Sequence, residues 1–348
     1  MSYAGLLYSA DTTDPQRIKF YGDIQEKVTN ASAQLIFFQL ELNRLDNADL
    51  MKVSQSGPLS RWKPWLEDIR KEKPHELDEK LEELFHEKYI SGAAAWNRLF
   101  DETIASLRFN ISGVELAIEP ALNLMQDSDE GKRRDAAVEI GKTFKANLSI
   151  FTLITNTLAK DKEISDRWRG FEDVADARHL SNRVERNVVE ALAKAVEESQ
   201  PRLSHRYYKL KAKWLGKDKL DYWDRGAPLP SVPSKNYSWS EARDLVLEAY
   251  DSFSPRMAEI ASNFFERKWI DAPVRPGKSP GAFSHPTVPS AHPYVLLNYQ
   301  GKTRDVMTLA HELGHGVHQV LAARQGALMA PTPLTLAETA SVFGEMLT

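Results

Sequence analysis

Apolar residues in the first half of the chain recur at steps of three and four, which places them on one face of a helix. The pattern runs unbroken over residues 24–45 and predicts one helix of about 30 residues. Because such a stripe has to be covered, we expect a second helix to pack antiparallel against it. Similar spacing predicts further helices at residues 77–84, 93–107, 132–158, 184–199, 239–253 and 255–265.

Two segments have strand-like patterns instead. Alternation around Ser112 and Gly113 predicts a small hairpin within residues 108–119. Residues 294–299 are apolar with aromatic ends and predict a short strand, which is followed by a helix with Thr303 as its N-cap. An edge position, where a peptide could pair with this strand, and an interior position are equally compatible with the pattern. The fold class is therefore mainly α, with a small β-sheet.

The domain division follows from length and from the distribution of proline. The chain has 348 residues, more than the roughly 250–300 at which single hydrophobic cores stop growing. A loop-rich stretch contains Pro228, Pro230 and Pro233. We place the boundary between residues 178 and 233, and assign residues 1–185 to an N-terminal helical lobe and residues 186–348 to a second domain.

Composition excludes several classes of protein. With no cysteine, the chain has no disulfide, thiol nucleophile or cysteine-bound metal, so any metal is held by histidine and carboxylates. The net charge of −4 argues against nucleic acid as a partner. No apolar run reaches the roughly 18 residues of a membrane span, and the N-terminus does not resemble a signal peptide. We expect a cytoplasmic protein without membrane association.

The segment His311-Glu312-Leu313-Gly314-His315 carries the candidate chemistry. On a helix, residues four apart lie about 40° from each other around the axis, so both imidazoles can reach one cation. Glu312 lies about 100° from His311 and is placed to reach a water on the metal, as a general base. This is the pattern of the His-Glu-x-x-His zinc peptidases. An apolar opposite face seats the helix in the core: Val306, Leu309, Ala310, Leu313, Val317 and Leu321.

Two imidazoles leave a zinc ion short of one protein ligand. Glu338 is the candidate, 23 residues after His315 and beyond a turn-forming stretch. The alternative is that Glu338 closes a capping box with Thr335. Glu345 lies two turns further on and is either a supporting group or a solvated charge. His318 is one turn past His315 and is a candidate for lining the cleft.

Four segments form a recognisable set: Ser279-Pro-Gly-Ala-Phe-Ser284, Tyr294-Val-Leu-Leu-Asn-Tyr299, Leu309-Ala-His-Glu-Leu-Gly-His-Gly-Val-His318 and Glu338-Thr-Ala-Ser-Val-Phe-Gly-Glu345. Together they resemble the oligoendopeptidase F family of thimet-oligopeptidase-like zinc peptidases. The upstream segments 156–161, 166–170, 206–216 and 220–225 are similar to that family as well, so the similarity covers most of the chain.

The resemblance implies a helical fold with a deep channel for short peptides. It implies one Zn²⁺ per chain on His311, His315 and Glu338, with Glu312 as the base for internal cleavage of oligopeptides. We add Gly281, Ala282, Tyr294 and His318 as candidate substrate-binding residues and Glu345 as a candidate supporting residue.

Relatives in that family continue beyond the position of Thr348. We therefore expect residues 186–348 to be the first part of the catalytic domain, truncated at its C-terminus. A zinc-binding fragment that needs a C-terminal complement remains an alternative. A zinc carboxypeptidase with the same site chemistry is a second alternative.

Overall fold

The computed structural model describes residues 1–55, 57–231 and 235–348. Pro233, within the predicted boundary region, lies outside the described residues. The chain is mainly α-helical, as predicted, and no helix within the described ranges is long and apolar enough to cross a membrane. The first half contains α1 (Ser2–Ser9), α2 (Pro15–Ala33), α3 (Ile36–Arg44), α4 (Asn47–Ser54), α5 (Lys63–Glu72), α6 (Glu79–Ser91), α7 (Ala93–Ser106), β1 (Phe109–Ile111), β2 (Val114–Leu116), α8 (Ile118–Leu124), α9 (Glu130–Ala146) and α10 (Leu148–Trp168). The second half contains α11 (Asp176–Ser181), α12 (Arg186–Ser199), α13 (Ser204–Trp214), α14 (Trp239–Phe253), α15 (Pro255–Glu266), β3 (Ile270–Pro273), β4 (Phe283–His285), β5 (Tyr294–Tyr299), α16 (Thr303–Ala322) and α17 (Leu334–Leu347).

The prediction of one long helix over residues 24–45 is wrong. The helix ends at Ala33 and a new one begins at Ile36. Just before the break, the Ser32 hydroxyl donates to the carbonyl of Val28 at 2.8 Å, a local bond that competes with regular helix geometry. The helix α6 packs against both α2 and α3, but several residues of the predicted stripe remain exposed: Val28, Leu35, Phe38 and Leu45.

The predicted helix over residues 132–158 is also divided, at Asn147. This residue separates α9 from α10. Its side-chain amide donates to the carbonyl of Thr143 at 2.9 Å, and its backbone leaves helical geometry, with φ −105° and ψ 12°. Asparagine is well suited to such a junction because its short side chain bonds to nearby backbone groups.

The hairpin is confirmed. β1 and β2 pair antiparallel, with Ile111 opposite Val114. Ser112 and Gly113 form the turn with φ of 53° and 82°. Positive φ at both central residues is the geometry of the tight turn that matches strand twist.

A three-stranded sheet lies beside α16, and β5 is its central strand. β3 pairs with β5 in parallel and β4 pairs with it antiparallel. The interior position of residues 294–299 is therefore correct and the edge position is wrong. The sequence analysis missed β3 and β4. These strands are only four and three residues long, and they lie in a stretch interrupted by several prolines.

α16 lies at the centre of the largest core, with α14, α15, α17 and β5 around it. The predicted apolar face is confirmed from Val306 to Val317, but Leu321 is exposed. The N-cap prediction is wrong by one residue, since α16 begins at Thr303 and Lys302 occupies the cap position. Leu321 lies in the last turn of the helix, beyond the part that its neighbours cover.

Contacts connect the N-terminal residues to the segments around this core. The backbone N–H of Thr12 donates to Gly277 O at 2.7 Å, and the N–H of Gly281 donates to Glu119 Oε1 at 2.6 Å. The ammonium of Lys302 donates to the carbonyl of Asn123. The division into residues 1–185 and 186–348 remains a prediction.

Candidate metal centre

One turn of α16 brings the two imidazoles together. The ring centroids of His311 and His315 are 4.9 Å apart, with the ring planes at 85°. His315 is the more buried of the two, and burial lowers the pKa of its imidazole. A lowered pKa favours the neutral form, which is the form that binds a metal ion.

Glu338 approaches both rings from α17. Its Oε2 lies 3.4 Å from Nε2 of His311 and 3.7 Å from Nε2 of His315. The capping alternative is wrong, because the N-cap of α17 is Pro333 and makes no side-chain cap. Thr335 donates instead to the carbonyl of Asn182 at 3.0 Å.

Two glycines allow α16 and α17 to come this close. A Cβ on Gly314 would lie 2.8 Å from Ala340 O, and one on Gly344 would lie 3.0 Å from Ala310 O. The same carbonyl of Ala310 accepts a hydrogen bond from the buried Tyr250 hydroxyl at 2.5 Å. Small residues at the crossing therefore set the distance at which Glu338 faces the imidazoles.

Further groups contact two of the three candidate ligands. Oε2 of Glu345 lies 3.2 Å from Nδ1 of His311, within hydrogen-bond distance. The Ser341 hydroxyl donates to Oε2 of Glu338 at 3.0 Å. The sequence analysis missed Ser341, although its position three residues after Glu338 puts it one helical turn away.

The Glu312 carboxyl lies beside these groups and is 6% exposed. Its Oε2 is buried and has no hydrogen-bond partner in the described part of the chain. Burial raises the pKa of Glu312 to about 7, with His311 and the Ser284 backbone lowering it and Glu338 raising it. A buried carboxyl with a free oxygen is suited to hydrogen-bond a water or a substrate group.

The donor set fits a zinc ion. One atom each from His311, His315 and Glu338 lies within 4.8 Å of the others. Ligands about 2.0–2.2 Å from a tetrahedral zinc are separated by roughly 3.3 Å, close to the two measured distances from Glu338. Two imidazoles and a carboxylate form a common three-ligand set of catalytic zinc, which leaves one position open.

Two cavities meet at Glu312 and Ala282, which line both. The larger, about 660 Å³, is the histidine-side cavity, and it contains His311, His315, Glu338 and His318 together with many apolar side chains. The smaller, about 400 Å³, is the amide-side cavity, which is lined by polar residues that include Asn123, Gln126, Asn298, Gln300 and Arg304.

Comparison with known proteins identifies the family. The model of peptidase family M3 matches residues 123–348. The chain belongs to peptidase family M3. The model of Oligopeptidase F matches residues 41–109. The similarity to oligoendopeptidase F is thereby confirmed.

Relatives of this M3 chain include oligopeptidases from two bacteria. It is 28% identical over 351 residues to group B oligopeptidase PepB of Streptococcus agalactiae, covering 99% of this chain and 58% of that protein. It is 26% identical over 330 residues to oligopeptidase PepF of Bacillus subtilis, covering 91% of this chain and 48% of that protein. The chain thus spans about half to three-fifths of the length of these relatives.

Solved structures share the fold of this M3 chain. PZ peptidase A, solved with an inhibitor, superimposes with a TM-score of 0.80 at 16% identity, covering 99% of this chain and 60% of that one. Oligoendopeptidase F from Enterococcus faecium has a TM-score of 0.66 at 19% identity, with 99% and 57% covered. The helical, thimet-oligopeptidase-like fold class is confirmed.

The predicted substrate-binding residues of this M3 chain lie at different distances from the centre. Ala282 lines both cavities, and His318 lines the histidine-side cavity, where burial lowers the pKa of its imidazole. Gly281 lines the amide-side cavity, but its N–H bonds to Glu119 and its carbonyl accepts from Asn298. Tyr294 lines neither cavity and packs against the ring of His292.

A side chain of α16 hydrogen-bonds to the outer edge of β4. The Ser284 carbonyl accepts from Nε2 of Gln319 at 3.1 Å, and the Ser284 hydroxyl donates to Oε1 of the same side chain at 2.9 Å. α16 therefore covers this strand at the position where an added peptide would have to pair.

Proposed function

We propose that this chain carries the zinc site of a metalloendopeptidase that hydrolyses internal bonds of short oligopeptides. The observation that carries the proposal is the position of Glu338, whose carboxylate faces both imidazoles of the His-Glu-x-x-His helix at 3.4 and 3.7 Å. Membership of peptidase family M3 and the oligopeptidase names of its relatives support it.

In this proposal His311, His315 and Glu338 hold one Zn²⁺. Glu345 accepts a hydrogen bond from Nδ1–H of His311, which selects the tautomer whose Nε2 faces Glu338. Ser341 orients the Glu338 carboxylate in the same way. A zinc ion bound there would supply Lewis acidity toward water and toward the scissile carbonyl.

Glu312 is the proposed general base. Its buried Oε2 is free to accept a proton from water, and the same oxygen can then donate that proton to the leaving amine. The backbone of Ser284 in β4 hydrogen-bonds to the Glu312 side chain, and this side chain lines both cavities, so it would meet a substrate where they join. From this one position the Glu312 carboxyl would both take the proton from water and deliver it to the leaving amine.

The decisive experiment compares wild type with Glu312→Gln. We expect both proteins to bind one zinc per chain by atomic emission. The variant should lose at least about 100-fold in cleavage of an internally quenched oligopeptide, because a general base contributes roughly 10²–10⁴ in rate. Glu248→Gln, an exposed change on α14, is the matched control and should cleave normally. Undiminished cleavage by Glu312→Gln would refute the assignment of the base.

Product analysis separates endopeptidase from carboxypeptidase action. Mass spectrometry of a cleaved ten-residue peptide should show two complementary fragments, which together account for the whole peptide and meet at an internal bond. Stepwise loss of single C-terminal residues would favour the carboxypeptidase alternative instead.

A second possibility is that the zinc-binding chain acts only together with further polypeptide. Val342, Phe343 and Met346 on α17 are exposed, Met346 by 80%, and exposed apolar patches commonly mark interaction sites. Co-expression with the C-terminal part of a full-length relative tests this. Cleavage that appears only in the co-expressed sample supports a complement, whereas equal cleavage without it argues against one.

A further inference from the structure

The two cavities that meet at Glu312 differ in chemical character. The histidine-side cavity beyond the metal centre is walled by apolar residues that include Phe283, Val288, Pro289 and Leu334. The amide-side cavity contains amide side chains and the cation of Arg304. A peptide bound across Glu312 would therefore place its two ends in different surroundings.

The charged groups of the amide-side cavity other than Glu312 and Arg304 have partners. Glu119 accepts from the N–H of Gly281, and Lys302 donates to the Asn123 carbonyl. Asp305 accepts from the N–H groups of Gln300 and Lys302 at 3.0 and 2.9 Å. Each of these three charged groups is therefore already bonded to a neighbouring part of the protein.

Arg304 has no such partner. Its exposed guanidinium makes no hydrogen bond, ion pair or ring contact with any part of the chain that the structure describes. Arg304 is the second residue of α16, seven residues before His311, and lines the same cavity as Glu312. A planar guanidinium with free donors binds carboxylates in a bidentate manner.

We propose that Arg304 is a specificity-determining residue that binds a carboxylate of the peptide substrate in the amide-side cavity. The carboxylate is either an acidic side chain or the C-terminus of a short peptide, since both present the same group. Substrates would then carry that group on one side of the scissile bond only. This proposal rests on the proposed peptidase function, because it assigns the substrate class of the same site.

The experiment measures peptide binding and cleavage separately. Four fluorescent peptides of one sequence carry either Glu or Gln near one end, each as the free acid or the C-terminal amide. Their binding to the Glu312→Gln protein is followed by anisotropy, with zinc added and after chelation, so the reading does not need turnover. Free acid against amide, and Glu against Gln, distinguish the two sources of the carboxylate.

We expect peptides with the recognised carboxylate to bind about three- to tenfold tighter than those without it, the range for an exposed to part-buried charge pair. When Arg304→Gln is added to the Glu312→Gln protein, this difference in affinity should disappear. Arg304→Lys in the same protein should retain part of it. Arg256→Gln is the matched control, since Arg256 is an exposed arginine on α15 that lines neither cavity.

The proposal is overturned if no peptide binds or if the protein with Arg304 binds peptides with and without the carboxylate equally well. It is also overturned if Arg304→Gln leaves the difference in affinity unchanged. Failure of the peptidase function gives another pattern, in which carboxylate-dependent binding persists but the zinc-loaded wild type cleaves none of the peptides. Where cleavage occurs, mapped products should show acidic groups on one side of the cut in wild type and lose that bias in Arg304→Gln.

Discussion

Gly314 of α16 lies against Ser341 of α17, so closely that a Cβ on Gly314 would come within 2.9 Å of Ser341 Cα. Gly314 lies inside the His-Glu-x-x-His segment, and Ser341 donates to the candidate ligand Glu338. The helix crossing and the candidate metal centre therefore depend on the same few atoms.

Gly314→Ala should weaken zinc binding and destabilise the protein by about 1–3 kcal/mol, the usual cost of adding volume to a packed interior. The added methyl group forces the helices apart and moves Glu338 from the imidazoles. Gly141→Ala on α9 is the control, since its Cβ would meet nothing within 4 Å, and it should be neutral or stabilising by up to about 1 kcal/mol. Urea unfolding and zinc titration measure both effects, and equal behaviour of the two variants would contradict the packing argument.

Glu345→Gln should weaken zinc binding by about 10- to 100-fold, the range found when the group that orients a ligating histidine is changed. The substitution keeps the shape of the side chain but removes the charge that faces Nδ1 of His311. Competition with a chromogenic chelator gives the affinity. Glu248→Gln again serves as the control, and unchanged affinity in Glu345→Gln would show that Glu345 is only a surface charge.

Removal of the metal should lower thermal stability, because a ligand that binds only the folded state stabilises it by mass action. With zinc at about 1,000 times its dissociation constant, the difference is about 4 kcal/mol. Differential scanning calorimetry with and without EDTA measures the shift in Tm. Glu338→Ala should show a much smaller shift, and an identical shift would place the metal elsewhere.

Asp224 anchors an ion cluster away from the metal centre. It is fully buried and accepts from Arg133 at 2.8 Å and from Lys217 at 2.6 Å. Burial opposes ionisation, but the hydrogen bonds from Lys217 and Arg133 lower the pKa of the Asp224 carboxyl below 3.8. Lys217 also contacts Glu130 and Asp221. Its ammonium group therefore lies among the three carboxylates, where a metal ion would otherwise have to bind.

Asp224→Ala should cost about 3–5 kcal/mol near pH 7, because it leaves the buried Arg133 without its charged partner. The folded-state pKa is lowered, so the contribution of Asp224 is complete above pH 3.8 and declines as the pH falls below that value. Unfolding curves of wild type and variant should therefore converge in acid. Asp244→Ala, which removes an exposed pair with Arg243, should change stability by less than about 1 kcal/mol, and a similar loss in both variants would contradict the burial argument.

Local sequence patterns predicted which elements exist. They predicted less well where each element ends and which other elements it contacts. Residues 294–299 form the strand that their composition indicated. The central position of that strand depends on β3 and β4, whose short sequences carry no periodic signal of their own. Likewise, the apolar spacing over residues 24–45 contains no sign of the interruption at Gln34 and Leu35, where backbone bonds end one helix before the next begins.

Spacing along the chain was enough to predict that His311 and His315 point to one side of a helix, because four residues make slightly more than one helical turn. The local pattern around Glu338 taken alone favoured a capping role, and ligation was favoured only because the His-Glu-x-x-His segment precedes it. Packing of the folded chain placed Glu338 and Glu345 beside the imidazoles and Arg304 on the wall of the adjoining amide-side cavity. Their positions depend on how closely α16 and α17 approach each other at Gly314 and Gly344 and on which partners neighbouring charges take. Spacing along the chain encodes neither property.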